Sequence, residues 1–196
     1  MDYSEQTLDE LLSRIASEQV TPAGGTASAV VGAIGAALCE MVCIHTIEKD
    51  EYEAVEGGLV DARDDLRRER SHLLGLADTD ARVIADLFPV SGDEVDQSRL
   101  KQSIGVPLTI ADASLTVLEI ATEVTAKGTR TAVADAGTGV FLAYSALRAS
   151  IFTARRNTEQ VIDPSFVADI ERRATEIEEA SEDAYERAMK TIEERA

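Results

Sequence analysis

Asp80 is the residue whose position most demands a chemical explanation. With Leu73 at zero and about 100° of turn per residue, its side chain falls within roughly 20° of the apolar stripe shared by Leu73 and Ile84, while Asp78 falls well outside it. A carboxylate on the apolar side of a helix is costly unless it is paired or hydrogen-bonded. The position therefore reads either as an acid kept for proton transfer or for attracting a cation, or as half of a buried salt bridge to an arginine such as Arg99. Asp135 is the only acid between Glu123 and Glu159, early in a segment with no other charge until Arg148. It is a second candidate acid, or simply a favourable charge at a helix start. Glu40 is the only acid of its own helix and lies toward the end, where solvent is expected.

The stretch Val20-Thr21-Pro22-Ala23-Gly24-Gly25-Thr26 runs into a helix rich in Ala, Gly, Val and Ser. Small side chains let helix backbones approach closely, and glycines at a helix start leave N–H groups open to an anionic or polar ligand. The pair Gly24-Gly25 lacks the GK[ST] of a phosphate loop and follows a helix rather than a strand, and no Ser-His-Asp arrangement is visible. Cys39 and Cys43, four apart, read as a metal pair or as two small apolar residues. With only His45 and His72 in the chain, the apolar reading is preferred, and no metal is expected.

The elements that must carry these residues all read as helix. Thr7 and Glu10 form a capping box ahead of a stripe of Leu8, Leu11, Leu12 and Ile15. A turn over residues 21–25 leads into the small-residue helix to about Ile47. Gly57-Gly58 is expected to interrupt or kink the next helix, which continues through Leu59, Leu66, Leu73, Ala77 and Ile84 to Leu87. Phe88-Pro89 to Asp93 reads as a loop. A helix from Val95 to Lys127 has Pro107 as a kink or restart, and Lys127-Gly128 closes it. Another helix spans about 131–155, and Asp163-Pro164 opens a last, highly charged one. Two of these helices, 26–47 and 131–149, are apolar nearly all round and need neighbours on every side. The fold class is therefore an all-α bundle, one domain over residues 1–196, expected to form a homodimer because a second copy helps to cover both helices.

Composition narrows the function. The formal net charge is -18, with 37 acidic residues against 19 basic ones. Phosphate-rich partners would be repelled, so nucleic acid is not expected. The dense carboxylates also suit a protein adapted to high salt. The first residues are acidic rather than basic, and no secretory leader is read there. The apolar window 24–47 contains Thr26, Ser28, Glu40, His45 and Thr46 and lacks flanking aromatic and basic anchors, so it reads as a buried helix rather than a membrane span. A cytoplasmic location follows as the expectation.

The same residues resemble the cyclodeaminase/cyclohydrolase family that acts on folate. The family's P-T-P-G-G-G-S-type turn is similar to Thr21-Pro22-Ala23-Gly24-Gly25-Thr26, and its Met-Val and following Thr to Met41-Val42 and His45-Thr46. Lys49 and Tyr52 stand where the family tends to have Lys and Tyr. A D-A-x-A-type helix matches Asp80-Ala81-Arg82-Val83, and Val-Pro-Leu matches Val106-Pro107-Leu108. The G-N…S-D-A-G pattern matches Gly128-Thr129 and Ala134-Asp135-Ala136-Gly137. Order and spacing hold from about residue 7 to 157. Ala23, Thr129, Ala134 and the segment Ser150-Ile151-Phe152-Thr153 depart from the pattern, each changing a polar group that could line a pocket.

The resemblance implies an all-helical homodimer and hydrolysis of 5,10-methenyltetrahydrofolate to 10-formyltetrahydrofolate, with the folate as substrate and no separate cofactor. It implies Asp80 as general base and electrostatic partner of the cationic one-carbon bridge. Asp135 would orient the pterin or share proton traffic. Thr21, Pro22, Gly24, Gly25 and Thr26, with Gly128 and Thr129, would shape the pocket, and Lys49 would meet the glutamate tail. Cyclodeamination of formiminotetrahydrofolate, or a helical dimer that has lost activity, remain alternatives at this point.

Overall fold

The computed structural model describes residues 3–87 and 96–195. Among the described residues there are six α-helices and no strands: α1 (Leu8–Ile15), α2 (Gly24–Ile47), α3 (Glu56–Leu87), α4 (Gln97–Lys127), α5 (Val133–Asn157) and α6 (Pro164–Arg195). Short 3₁₀ turns precede α1, α3 and α5 and link α5 to α6. The all-α reading is thus correct.

The helix ends follow from local chemistry. Thr7 accepts from the Glu10 N–H at 3.2 Å while Glu10 Oε2 accepts from the Thr7 N–H at 2.8 Å, closing the expected capping box. Asp96 caps α4 through the Ser98 N–H at 2.8 Å. Asp163 accepts from the N–H groups of Ser165 and Phe166 and pairs with Lys101 at 2.6 Å, interactions that hold its carboxyl well below the usual range. The expected loop 88–93 and the start at Val95 lie outside the described residues.

Helix α2 is the centre of the bundle, packed along α3 and α5 and touching α4, with α6 laid across α4 and α5. Its contact with α5 is backbone against backbone. A Cβ on Gly35 would stand 2.9 Å from the Gly139 carbonyl oxygen and 3.0 Å from the Ala143 nitrogen, and one on Gly139 only 2.6 Å from Cys39 Sγ. Gly32 meets Ala146 where Cys39 meets Gly139, so the two helices run antiparallel. Both α2 and α4 are long and apolar enough to cross a membrane by length and composition; here just over half of each apolar window is buried against other helices. Cys39 and Cys43 are buried in this core, and burial pushes both thiols up to about 12.

Three local expectations are corrected. Gly57-Gly58 does not interrupt α3, which runs from Glu56; at Gly58 the end of α4 comes so close that a Cβ would lie 3.2 Å from Lys127 Nζ. Pro107 does not restart a helix, because α4 runs continuously through it. A proline has no N–H for the carbonyl four residues back, and that carbonyl, on Ser103, accepts instead from Asn157 Nδ2 at 2.9 Å. Glu40 is not solvated: it is buried and clamped by Arg67 at 2.9 Å and Arg70 at 3.1 Å from α3. A lone acid inside an apolar helix imports its counter-ions from the neighbouring one.

Candidate active site

Asp80 lies in the interior, 2% exposed, where α3 passes the start of α2. The first turn of α2 has no side-chain cap of its own, because Ala23 occupies the N-cap position. Asp80 supplies the missing acceptor from another helix. Its Oδ2 accepts from Thr26 Oγ1 at 2.8 Å, and the Thr26 backbone N–H adds a second bond that favours the ionised form. Burial acts the other way and is the larger effect, so the carboxyl titrates above its ordinary range. The outcome is a carboxylate more basic than a solvated one. Arg99, the salt-bridge partner considered from the sequence, is engaged elsewhere, with Asp96 and the Asp86 carbonyl.

The two glycines of the turn have separate functions. A Cβ on Gly25 would stand 2.3 Å from Asp80 Oδ1, so this position must lack a side chain for the carboxylate to reach the helix start. Gly24 is exposed, and nothing lies within 4 Å of where its Cβ would be. Gly24 therefore stands at the surface, one residue before the contact with the buried acid. Thr21 is half-buried and Pro22 buried on the same approach.

Tyr3 was not anticipated. Its ring is 5% exposed, with the hydroxyl buried beside Arg14. Its backbone N–H donates to Asp78 Oδ1 at 3.0 Å, and the Arg14 guanidinium lies 5.6 Å from its ring centroid. Burial raises the phenol, Arg14 opposes this, and the charges of Asp78 and Asp80 add to the rise. The N-terminal segment thus packs against α3 close enough to Asp80 for its charge to act on Tyr3. An aromatic residue among acidic neighbours was the one signal for it.

The remaining predicted residues gather at the opposite end of α2. Lys49 Nζ donates to Thr129 Oγ1 at 2.8 Å and to Thr131 Oγ1 at 3.3 Å. The Thr129 N–H donates to Thr46 Oγ1 at 2.8 Å, and the Arg130 N–H to the Tyr52 hydroxyl at 3.4 Å. Gly128 is tight: a Cβ there would stand 2.7 Å from Val42 Cγ1 and from the Val124 carbonyl. Arg195 donates to the carbonyls of Thr125 and Gly128, so the end of α6 anchors this turn. Lys49 also borders a cavity of about 310 Å³ that Asp50, Glu53 and Glu56 make acidic. Asp135 is exposed in the first turn of α5, where a negative charge is also favoured by the helix start. Within one chain, then, Asp80 and Asp135 are not brought together. Thr26 and Thr46 mark the two ends, 20 residues apart on one helix, which is about 30 Å.

A bundle built on an Ala/Gly helix whose start is held by a buried aspartate defines the class, and the chain belongs to the formiminotransferase-cyclodeaminase family, whose model matches residues 7–176. The methenyltetrahydrofolate cyclohydrolase of Methylorubrum extorquens is 32% identical over 185 residues, covering 88% of each protein. The crystal structure of formiminotetrahydrofolate cyclodeaminase from Thermotoga maritima matches with a TM-score of 0.90 over 97% of both chains at 24% identity, and so shares the fold.

Proposed function

We propose that this protein hydrolyses 5,10-methenyltetrahydrofolate to 10-formyltetrahydrofolate, the activity named for its Methylorubrum extorquens relative. The observation that carries the reading is Asp80: a buried carboxylate at the start of α2, hydrogen-bonded by the Thr26 hydroxyl and backbone N–H and titrating above its ordinary range. The substrate carries positive charge on a carbon between two nitrogens. A carboxylate in a site of low polarity attracts that cation strongly. Water attacks the carbon and forms a C–O bond, and Asp80 takes the proton the water loses. The adduct then opens by breaking one C–N bond, with the hydroxyl proton leaving as the freed nitrogen gains one. The raised proton affinity of Asp80 makes it a better base than a solvated aspartate. Only water and the folate are consumed, so the reaction calls on no separate cofactor.

On this reading the protein works in the cytoplasm as a homodimer. Ile34, Ile44, Phe141 and Phe152 leave large apolar side chains exposed on the two central helices, and a second copy would cover them. Loss of methenyl absorbance on adding the protein tests the activity, and a parallel assay for ammonia from formiminotetrahydrofolate tests the cyclodeaminase alternative. Asp80→Asn with intact fold and undiminished turnover would refute the role of the base.

A further inference from the structure

The last turn of the charged helix α6 closes over the end of α4. The two helices run side by side in the same direction: Arg173 pairs with Asp112, and Thr122 Oγ1 donates to the Ala184 carbonyl at 3.3 Å. They therefore finish together. There Arg195 donates through Nη1 to the Thr125 carbonyl and through Nη2 to the Gly128 carbonyl. The last carbonyls of a helix have no partner within it, and the planar fork of an arginine holds two acceptors at a fixed spacing. Its charge also suits the negative end of α4. The family model stops at residue 176, so this contact comes from a part of the chain beyond the shared pattern.

The turn held in this way carries the partners of Lys49. Gly128 leaves α4 in extended backbone, and Thr129, 2% exposed, donates its N–H to Thr46 Oγ1. The Thr129 and Thr131 hydroxyls both accept from Lys49 Nζ. The Lys49 ammonium is thus held by hydroxyls and the Arg195 guanidinium by carbonyls, with no ion pair to either among the described residues. Arg130, exposed in the same turn, has none either. Three cations gather here without a carboxylate partner, although the chain as a whole carries a net charge of -18. Asp50, Glu53 and Glu56 rim the cavity beside Lys49. A loosened lysine would swing toward them and be neutralised, so its hold on Thr129 and Thr131 is what keeps its charge available.

We propose that Arg195 is a positioning residue for an anion site at Lys49. By fixing the carbonyls of Thr125 and Gly128 it sets the two threonine hydroxyls that aim the ammonium, and the site so formed takes the carboxylates of a folate's glutamate. The choice of ligand rests on the folate reading above. Arg195 itself does not touch the ligand.

Calorimetric titration of the full chain with p-aminobenzoyl-glutamate, which carries the tail without the pterin, tests the proposal. Arg195→Ala and Lys49→Met should each weaken binding about tenfold, as loss of a charge-assisted bond implies. The double variant should bind no more weakly than Lys49→Met alone, because Arg195 acts through Lys49. Arg195→Lys, which keeps a charged donor, should recover part of the loss. Additive losses overturn the proposal. So does an Arg195→Ala chain with a lower melting temperature and an unchanged dissociation constant, the mark of a merely structural role. Inorganic phosphate bound as tightly as the fragment would overturn the glutamate assignment. Hydrogen exchange reads the positioning step without any ligand: in Arg195→Ala the Thr129 amide should exchange faster, while the Ala27 amide at the start of α2 stays as it is. Unchanged exchange at Thr129 overturns the hold of Arg195 on the turn. A wild type that turns over the methenyl substrate but does not bind the fragment overturns this proposal alone, whereas a wild type that does neither refutes the folate reading and the ligand assignment with it.

Discussion

The carboxylate of Asp80 fills the space that a side chain on Gly25 would need, with Oδ1 2.3 Å from the position of its missing Cβ. Two features that look independent in the sequence, a glycine turn and an acid on an apolar stripe, are one contact. Gly25→Ala is therefore expected to push Asp80 off the start of α2, costing about 1–3 kcal/mol of stability together with most of the turnover. Gly24→Ala, one residue away with no neighbour to strike, should leave stability within about 0.5 kcal/mol of wild type. Urea unfolding of the two variants separates them, and equal losses would show that the contact is not what fixes the turn.

The proton affinity of Asp80 gives a second expectation, with a definite sign. Burial raises its folded pKa above the unfolded value. The folded state therefore holds this proton more tightly, and the contribution of the group to stability falls as pH rises from the unfolded pKa through the folded one. Above that window the charge is a cost to the fold. Asp80→Asn should match or exceed wild-type stability at neutral pH, lose that advantage in acid, and lose turnover throughout. Thr26→Val removes a bond that favours the ionised form, so the acid limb of turnover should move to higher pH, while Thr26→Ser keeps it in place. Thermal melts against pH and a pH–rate profile check both halves.

Much of this was legible in the sequence where a signal is local. The capping box at Thr7, the turn chemistry at Asp163-Pro164 and the apolar stripe that buries Asp80 are all decided within a few residues. The failures are tertiary. Pro107 looked like a kink or a restart because its remedy, the Asn157 amide, comes from 50 residues further along. Glu40 looked solvated because its two arginines sit on another helix. Tyr3 drew no notice because a side chain becomes part of a site only when the fold lays its segment over it. Helix periodicity also does not say which distant residues the fold brings to each end of α2, Asp80 at Thr26 and Thr129 at Lys49.

The Glu40 clamp predicts non-additive energetics. Either arginine alone can hold the buried carboxylate, and both guanidinium groups keep contact with solvent. Arg67→Ala or Arg70→Ala alone should cost about 1 kcal/mol or less. The double variant leaves a buried charge without its counter-ions and should cost clearly more than the sum of the two. A double-mutant cycle in urea measures the excess, and strict additivity would mean that Glu40 is solvated after all. Glu40→Gln in the double-variant background should recover part of the loss, because it removes the stranded charge.

The α2–α5 crossing sets the last expectation. At Gly139 an added methyl meets Cys39 Sγ at 2.6 Å and the Gly35 carbonyl at 3.0 Å, and neither can swing aside as the end of a long chain could. At Gly137, two residues earlier on the same helix, the nearest atom is the flexible tip of Ile192 at 3.4 Å. Both substitutions gain the same intrinsic helix propensity, roughly 1 kcal/mol for alanine over glycine. Their difference therefore isolates the packing. Gly137→Ala should raise the melting temperature or leave it unchanged, whereas Gly139→Ala should lower it by several degrees, as overpacking of about 1–3 kcal/mol implies. The displaced helices also carry Lys49 and Asp135 at their ends, so Gly139→Ala should weaken binding of a folate while Gly137→Ala leaves it unaltered. Melting curves with and without a folate ligand read both effects, and a stabilised Gly139→Ala would show that the two helices can part without loss.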